Sequence, residues 1–298
     1  MVGLMEMYLD GVSTRKVTEV TEALLGTGFS KSTASRLAGE LDTDLAAWRE
    51  RRLDDVACPY LVVDARYEHL RIGGQVVRQG VLIVKGVRED GHRELLAVDV
   101  ADTESETTYD ALFRRLEERG LHGAQLVTSD DQRGLVAAIR RHFEGAAWQR
   151  CYVHFLRNAG GKDARKDRRA LTRDLKAVYA SPDKAWALEL ARDVAERWSE
   201  THPTLARWIE DGIEDTLAYF AFPEPHRRKI PSTNGLERFN QEIDRRTSVV
   251  PIFPNREICL RLVTALCVEQ SEEWLSGKRY LDVSHLEASE DGEGDLAA

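Results

Sequence analysis

The sequence predicts an α/β fold in which a mixed sheet is covered by helices on its faces. Residues 60–100 contain three apolar runs of strand length, and these predict an antiparallel meander. Two shorter strands are predicted at residues 125–130 and 147–152, where they alternate with helical segments. Strands that alternate with helices in this order are typical of a sheet with helices packed on it.

The first predicted strand, residues 60–67, is unusual because it carries a carboxylate, Asp64, among apolar residues. The next two strands, residues 80–87 and 94–100, are joined at Asp90-Gly91, a dipeptide typical of a tight hairpin. A helix over residues 104–119 follows, and Gly120 ends it.

A second aspartate, Asp130, ends the fourth predicted strand, and a helix over residues 132–143 leads to the fifth. An aspartate inside an apolar strand is costly to bury without compensation. Ligand sites in open α/β sheets gather at the carboxyl ends of strands. We therefore expect Asp64 and Asp130 to lie close together.

A long amphipathic helix is predicted after Gly235, since no helix breaker follows before Pro251. Its apolar stripe is Leu236, Phe239 and Ile243, and the edge of that stripe is Glu237, Asn240 and Asp244. A half-buried Glu237 suits a metal ligand. Asn234 followed by Glu237 is also a capping box, which needs no chemistry, and the helix alone favours the cap.

Carboxylates that are forced together repel each other, and a divalent metal is the usual remedy. Mg²⁺ prefers one or two carboxylates together with waters and substrate phosphates. Paired ions stabilise both the attacking and the leaving oxygen in phosphoryl transfer. If Glu237 joins Asp64 and Asp130, the sequence predicts metal-dependent chemistry on phosphates.

The composition is that of a soluble globular chain: 298 residues, 42% apolar, with a net charge of −9. That charge argues against non-specific coating of nucleic acid, although residues 162–176 and 226–229 are locally basic. Four scattered cysteines indicate a reduced, cytoplasmic protein. No apolar run approaches a membrane span, and no signal peptide is evident.

Residues 4–50 are predicted to be helical. Two helices about Gly26-Thr27-Gly28 are compatible with a helix-turn-helix, whose second helix would offer Lys31, Ser32 and Arg36 to DNA. An ordinary helical hairpin is an equal alternative. Further on, the region between residues 151 and 237 is rich in helix formers, with helices predicted over residues 166–179, 182–200 and 203–221. Trp186, Trp198 and Trp208 are expected in its core.

Several linked motifs resemble the bacterial Mutator-type insertion-sequence transposases, members of the DDE superfamily with a ribonuclease H-like core. The motifs are Asp64 in a strand, Ser129-Asp130 before Gly134-Leu135, the run Trp148 to His154, the run Thr233 to Asn240, residues 8–17 and residues 252–255. The likeness covers about residues 5–283. It implies a nucleoid-associated bacterial enzyme.

The resemblance assigns three catalytic carboxylates, Asp64, Asp130 and Glu237, and implies that they hold two Mg²⁺ or Mn²⁺ ions. Asp131 competes with Asp130 for the second position. Asp130 is preferred because it directly ends the strand after Ser129.

Cys151 and His154 match the family's Cys-x-x-His signature. Their spacing also suits zinc, but a second pair of ligands is missing, so they are interpreted as shaping the site. His154 is expected near the scissile phosphate. Asn234 and Asn240 are expected to orient Glu237 or the backbone.

Phosphate contacts are expected from four cations, Lys229, Arg238, Arg245 and Arg246. The resemblance implies an N-terminal helical segment (residues 1–52) that is a shortened DNA-binding region. It then implies a core (53–158), a helical insertion (159–225), the completed core with the Glu-bearing helix (226–285) and a disordered acidic tail (286–298).

The implied function is DNA transposition: cleavage at insertion-sequence ends and transfer of the 3′-hydroxyl into target DNA. The implied partners are inverted-repeat ends, target DNA and a second copy of the chain, with no membrane. Two alternatives are a stand-alone ribonuclease H-like nuclease and an inactive, shortened relic that only binds DNA or dimerises.

Overall fold

The computed structural model describes residues 31–161, 167–247 and 252–286, with side chains from residue 41 onward. Three predicted features lie wholly or partly outside these residues. They are the helix-turn-helix or hairpin that begins before residue 31, the start of the basic stretch at residues 162–166, and the acidic tail after residue 286.

A five-stranded mixed sheet forms the centre of the fold, in the order β3-β2-β1-β4-β5. The strands are β1 (Tyr60–Ile72), β2 (Gln75–Val87), β3 (Arg93–Ala101), β4 (Leu126–Ser129) and β5 (Ala147–Arg150). β2 runs antiparallel to β1 and β3, whereas β1, β4 and β5 are parallel to one another. The predicted mixed sheet flanked by helices is confirmed.

The part of the chain that the structure describes contains nine α-helices. They are α1 (Lys31–Glu50), α2 (Glu106–Glu118), α3 (Arg133–His142), α4 (Tyr152–Ala159), α5 (Arg168–Tyr179), α6 (Lys184–Ser199), α7 (Pro203–Gly212), α8 (Asn234–Thr247) and α9 (Arg256–Ser276).

Two element boundaries differ from the sequence prediction. The helix predicted over residues 203–221 ends early, at Gly212, and two short 3₁₀ turns follow it, Glu214–Thr216 and Ala218–Ala221. The strand predicted over residues 147–152 also ends early, at Arg150, because α4 begins almost at once after it.

The hairpin between β1 and β2 is much longer than the sequence predicts. The two strands pair continuously from Tyr60 with Val87 to Ile72 with Gln75. Gly73 and Gly74 make the turn with φ values of 56° and 84°, a conformation that favours glycine. The outer halves of both strands are polar and lack the apolar signal that predicts the inner halves. The predicted Asp90-Gly91 hairpin is confirmed, with φ of 85° at Gly91.

Helices pack on both faces of the sheet. On one face, α2 and α3 cover Leu61, Val63 and Leu82. On the other face, α8 and α9 cover the alternate strand positions, including Val62 and Ile83. Successive strand residues point to opposite faces, so the apolar runs of β1 and β2 serve both cores.

The helices α5, α6 and α7 form a separate apolar core that reaches one end of the strands, at Tyr60, Val87 and Leu126. Two buried hydrogen bonds anchor the region around it. Gln149 Nε2 donates to the Thr216 carbonyl at 2.7 Å, and Thr128 Oγ1 donates to the Ile230 carbonyl, also at 2.7 Å.

Two of the three tryptophans predicted in that core pack there. Trp198 is buried, and Trp208 is partly buried against the same core. Trp186 is not in the core: it is 59% exposed, because it lies on the outer face of α6.

The four cysteines are all buried, and none of them is in a disulfide. Among the helices that the structure describes, none is long and apolar enough to cross a membrane.

Candidate active site

A cavity of about 630 Å³ opens beside the sheet, and three carboxylates from distant parts of the chain line it. Asp64 comes from the middle of β1, Asp130 directly follows β4, and Glu237 lies in the first turn of α8. The sequence therefore predicts correctly that these three residues meet. We call this space the carboxylate cavity.

The register of β1 and β4 explains why two of the carboxylates meet. The strands are parallel, and Val62 pairs with Thr128. Two residues further on, where side chains return to the same face, β1 carries Asp64 and the chain after β4 carries Asp130. The carboxyl end of β4 thus lies beside the middle of β1, which continues into the long hairpin.

Each carboxylate has a different polar neighbour. Asn240 Nδ2 donates to Asp64 Oδ2 at 2.9 Å. Arg157 donates to Glu237 Oε1 at 2.7 Å. Asp130 Oδ1 accepts a hydrogen bond of 2.7 Å from the backbone N–H of the residue that follows it.

His154 lies between two of the carboxylates. Its Nδ1 is 3.8 Å from Asp130 Oδ1, and its Nε2 is 3.6 Å from Glu237 Oε1. The neighbouring Cys151 sulfur, together with the Asp130 and Asp64 carboxylates, raises the pKa of His154 to about 9, against the opposing effect of burial. The imidazole is therefore positively charged at neutral pH, between two negative groups.

Cys151 is fully buried at the start of α4 and faces Thr233. The Thr233 backbone N–H donates to its sulfur at 3.3 Å. Burial raises the pKa of the Cys151 thiol, but His154 and this N–H outweigh burial and leave the pKa below its usual range. Cys151 thus links α4 to the chain just before α8, which agrees with its predicted role of shaping the site.

Burial raises the pKa of Asp64 to about 6. The nearby His154 charge lowers it, whereas the Glu237 and Asp130 carboxylates raise it. A buried carboxyl with two other carboxylates nearby has too little positive charge around it to stabilise its ionised form. This is the electrostatic situation that a divalent cation relieves.

Within the described residues, no three His, Cys, Asp or Glu side chains are grouped tightly enough to hold a metal ion as they stand. The donor chemistry nevertheless fits a hard cation, because the cavity offers carboxylate oxygens and the amide of Asn240. Asn240 Oδ1 is buried without a hydrogen-bond partner, as is His154 Nδ1.

Asp131 has a different environment from Asp130. Its Oδ2 lies 3.0 Å from the guanidinium of Arg150, whose side chain is 7% exposed. Asp130 has no cation that close in the part of the chain described, and it faces His154. The contacts favour Asp130 as the metal ligand, the choice made from the sequence.

The capping box expected at Asn234 and Glu237 is not formed. The carbonyl of Thr233 accepts hydrogen bonds from the backbone N–H groups of Leu236 and Glu237, at 2.7 and 3.0 Å. The Glu237 carboxylate points instead to Arg157.

The two asparagines do not act on Glu237 as the sequence predicts. Asn234 is exposed and its side chain bonds nothing among the described contacts, so it does not orient Glu237. Asn240 bonds to the Asp64 carboxylate rather than to Glu237. Asn240 is thus a residue of the site, but it supports a different carboxylate from the one expected.

The four cations expected to bind phosphates differ in their surroundings. Arg246 is 8% exposed, with Glu242 Oε1 at 2.8 Å. Arg245 also contacts Glu242, at 2.6 Å. Lys229 donates to a backbone carbonyl, and Arg238 is exposed on α8. Burial and pairing make Arg246 a structural residue, and DNA contact by the other three stays a prediction.

Sequence reasoning missed Arg157, which contacts Glu237. The signal is present in the sequence. Arg157 follows His154 by three residues on a helix, so the two side chains share one face of α4. With His154 assigned to the site, this spacing indicates a second cation there.

The whole of this arrangement lies within a stretch that matches a known family. Residues 1–277 match the family model described as "Transposase, Mutator family". The chain belongs to the Mutator family of transposases. The resemblance noted in the sequence motifs is confirmed.

Three relatives show how far this Mutator-family similarity extends. The transposase for insertion sequence element ISRM5 of Rhizobium meliloti is 47% identical over 286 residues, covering 95% of this chain and 71% of that protein. The IS406 transposase of Burkholderia multivorans is 43% identical, covering 94% and 73%. The IS256 transposase in transposon Tn4001 of Staphylococcus aureus is 36% identical, covering 95% and 73%.

Among solved structures, the Drosophila P element transposase strand transfer complex matches over 96% of this chain and 84% of that chain, with 12% identity and a TM-score of 0.33. A similarity this low carries no argument about the site.

Proposed function

We propose that this Mutator-family chain cuts DNA at the ends of an insertion sequence and joins the freed 3′-hydroxyl to target DNA. One observation carries the proposal: Asp64, Asp130 and Glu237, from β1, the end of β4 and α8, line a single cavity. Carboxylates that converge in this way suit divalent metals, and metals suit phosphoryl transfer.

Asp64, Asp130 and Glu237 are the residues that would hold Mg²⁺ or Mn²⁺. Bound ions would supply the positive charge that stabilises the entering and leaving oxygens. Asn240 fixes the Asp64 carboxylate through its 2.9 Å hydrogen bond. The charged His154 faces the cavity, where it would contact a phosphate oxygen.

The reaction has two displacements. In the first, water attacks a phosphodiester at the element's end, and the bond to the 3′ oxygen breaks, leaving a 5′-phosphate and a free 3′-hydroxyl. In the second, this hydroxyl attacks a target phosphodiester, forms a new one and releases a target 3′-hydroxyl. No covalent enzyme intermediate is required. Two element ends must be brought together, so we expect a homodimer or larger assembly on DNA.

Nicking of a labelled DNA that carries the element's end tests the chemistry. Asp64→Asn, Asp130→Asn and Glu237→Gln should each abolish Mg²⁺- or Mn²⁺-dependent nicking, with circular dichroism unchanged. Activity retained by all three variants would remove the assignment.

Two further assays separate the alternatives. A substrate with a pre-cut 3′ end should be joined to target DNA by a transposase, whereas a stand-alone nuclease would cut without joining. Salt-dependent binding of terminal-repeat DNA with no cleavage in Mg²⁺ or Mn²⁺ would instead support an inactive relic.

A further inference from the structure

Three cations lie over the ring of Tyr280, outside the carboxylate cavity, and a fourth lies nearby. The Arg93 guanidinium lies 4.5 Å from the ring centroid, Lys229 Nζ lies 4.8 Å away and Lys85 Nζ lies 5.8 Å away. Arg238 is close enough for its charge to oppose that of Arg93. We call Lys85, Arg93, Lys229 and Arg238, with Tyr280, the Tyr280 cluster.

Lys85 is the most unusual member, because its side chain is only 1% exposed. It lies on β2, and its Nζ meets the first turn of α8, where a Cβ added to Gly235 would be 2.4 Å away. Among the residues that the structure describes, none forms a hydrogen bond or an ion pair with the Lys85 ammonium group, although the Lys85 backbone is paired in the sheet. The N-terminus of a helix carries partial positive charge, so this is an unfavourable place for an ammonium group.

The aromatic neighbours of Arg93 do not neutralise its charge. The guanidinium is held between the rings of Tyr280 and Trp274, with 4.5 Å to each centroid. It has no carboxylate within ion-pair distance in the described chain. Glu273 acts on it only from further away, and the carboxylate of Glu273 accepts a hydrogen bond from Gln270.

Neither lysine forms an ion pair with a residue that the structure describes. Lys229 donates to a backbone carbonyl, which carries no net charge. Burial, helped by the Arg93 charge and opposed by the Asp64 carboxylate, lowers the pKa of Lys85 to about 7, so Lys85 carries only part of its charge at neutral pH. The cluster therefore holds more positive charge than its described neighbours balance.

Holding like charges together at a helix N-terminus costs free energy, and an anion placed there would recover it. We infer that the Tyr280 cluster is a binding site for the phosphodiester backbone of DNA. Arg93, Lys229 and Arg238 contact the phosphates, and the protonated form of the buried Lys85 adds positive charge from β2. The inference rests on the proposed action on DNA.

Position favours DNA over a small anion. Arg238 follows Glu237 on α8, so the cluster and the carboxylate cavity are reached from the same first turn of one helix. A strand whose scissile phosphate lies at Glu237 would therefore pass close to Arg238. The cluster would hold a neighbouring phosphate and set the position of the strand in the cavity.

Binding of a fluorescein-labelled DNA duplex, measured by fluorescence anisotropy in EDTA over a range of salt concentrations, tests the inference. Removing one phosphate contact should reduce the slope of log affinity against log salt by about 0.9. Arg93→Gln should reduce the slope by about that amount, and Arg93→Lys should restore it. Arg114→Gln is the matched control, because Arg114 is exposed on α2, on the opposite face of the sheet, and should leave the slope unchanged.

Lys85→Met distinguishes a binding role from a structural one. Removing an unpaired buried charge should raise the urea midpoint of unfolding, while DNA affinity falls severalfold. A residue needed only for folding would lower the midpoint. If Arg93→Gln and Lys85→Met both retain the wild-type affinity and salt slope, the inference is overturned. It is also overturned if inorganic phosphate binds at the cluster but the duplex slopes do not change.

The binding assay contains no divalent metal and measures no cleavage, so it separates the two proposals. An unchanged slope in Arg93→Gln, with nicking that still requires the three carboxylates, would count against the Tyr280 cluster alone. A reduced slope in Arg93→Gln, with nicking that does not require the carboxylates, would count against the proposed chemistry alone.

Discussion

Asn240 donates a hydrogen bond of 2.9 Å to Asp64, and so joins the central strand of the sheet to the helix that carries Glu237. Asn240 follows Glu237 by three residues, which places both on one side of α8. The contact fixes the position of α8 over the Asp64 carboxylate. The other amide atom, Asn240 Oδ1, is buried without a partner, and Asn240 lines the carboxylate cavity.

The raised pKa of Asp64 predicts a definite pH dependence of stability. Its pKa is about 6 in the folded chain and near 3.8 when unfolded. The folded state therefore binds more protons between these values, so stability falls as pH rises from about 4 to 6. Asp64→Asn should remove this loss, worth roughly 2 to 3 kcal/mol.

Urea unfolding in EDTA, at a series of pH values across this window, measures the effect. The gap between Asp64→Asn and the wild type should widen as pH rises. Asp193→Asn, an exposed change on α6, is the control and should follow the wild type at every pH. A gap that stays constant across the window would contradict the prediction.

The two adjacent aspartates should differ in function. Asp130→Asn should lower the nicking rate by more than about a hundredfold, beyond the effect expected for a group that only supports a metal ligand. Asp131→Asn should keep most of the activity but lower stability, because it leaves the buried Arg150 without its carboxylate. Nicking rates and urea midpoints of both variants check this. The reverse pattern would assign the metal to Asp131.

Arg157 should compete with metal for Glu237. Its guanidinium donates to Glu237 Oε1 at 2.7 Å, and it is 57% exposed. Arg157→Gln should strengthen Mn²⁺ binding, but by no more than about fivefold, because an exposed ion pair contributes about 1 kcal/mol or less. Titration of Mn²⁺ followed by electron paramagnetic resonance measures this, with Arg114→Gln as the control. Weaker binding in Arg157→Gln would show that Arg157 supports the metal site.

Gly134 should not tolerate a side chain. A Cβ there would lie 2.5 Å from the backbone nitrogen of Glu106, where α3 meets the start of α2. Gly134→Ala should therefore destabilise the fold by about 1 to 3 kcal/mol. Gly161→Ala is the matched control, since its nearest contact is 3.4 Å. Equal urea midpoints for the two variants would mean that α2 and α3 can move apart with little loss of free energy of unfolding.

Much of the sheet and the site follows from local sequence signals. Apolar runs predict the first three strands, and alternation with helical segments indicates the two shorter ones. Asp64 is noticed because a carboxylate inside an apolar strand is costly to bury, and Asp130 because it follows the end of a strand. Glu237 is identified through the family motif, since the helix pattern alone favours a cap. The structure replaces that cap with the contact to Arg157.

Interactions between distant residues cannot be predicted in the same way. The outer half of the β1–β2 hairpin is polar, so its strands lack the apolar runs that mark the inner half. Lys85 lies within an apolar strand, and its sequence context does not reveal that its ammonium group packs against the first turn of α8. Arg246 resembles a phosphate ligand in sequence, whereas its burial depends on Glu242 and α9.

The long interval between Asp130 and Glu237 has a consequence for synthesis of the chain. On the ribosome, β1 and β4 emerge and can pair well before α8 has been made. The link from Cys151 to Thr233 closes only when the intervening helices have emerged. A nascent polypeptide therefore carries two of the acidic groups without the third, and under the proposed chemistry it cannot damage nearby chromosomal DNA until α8 has been made.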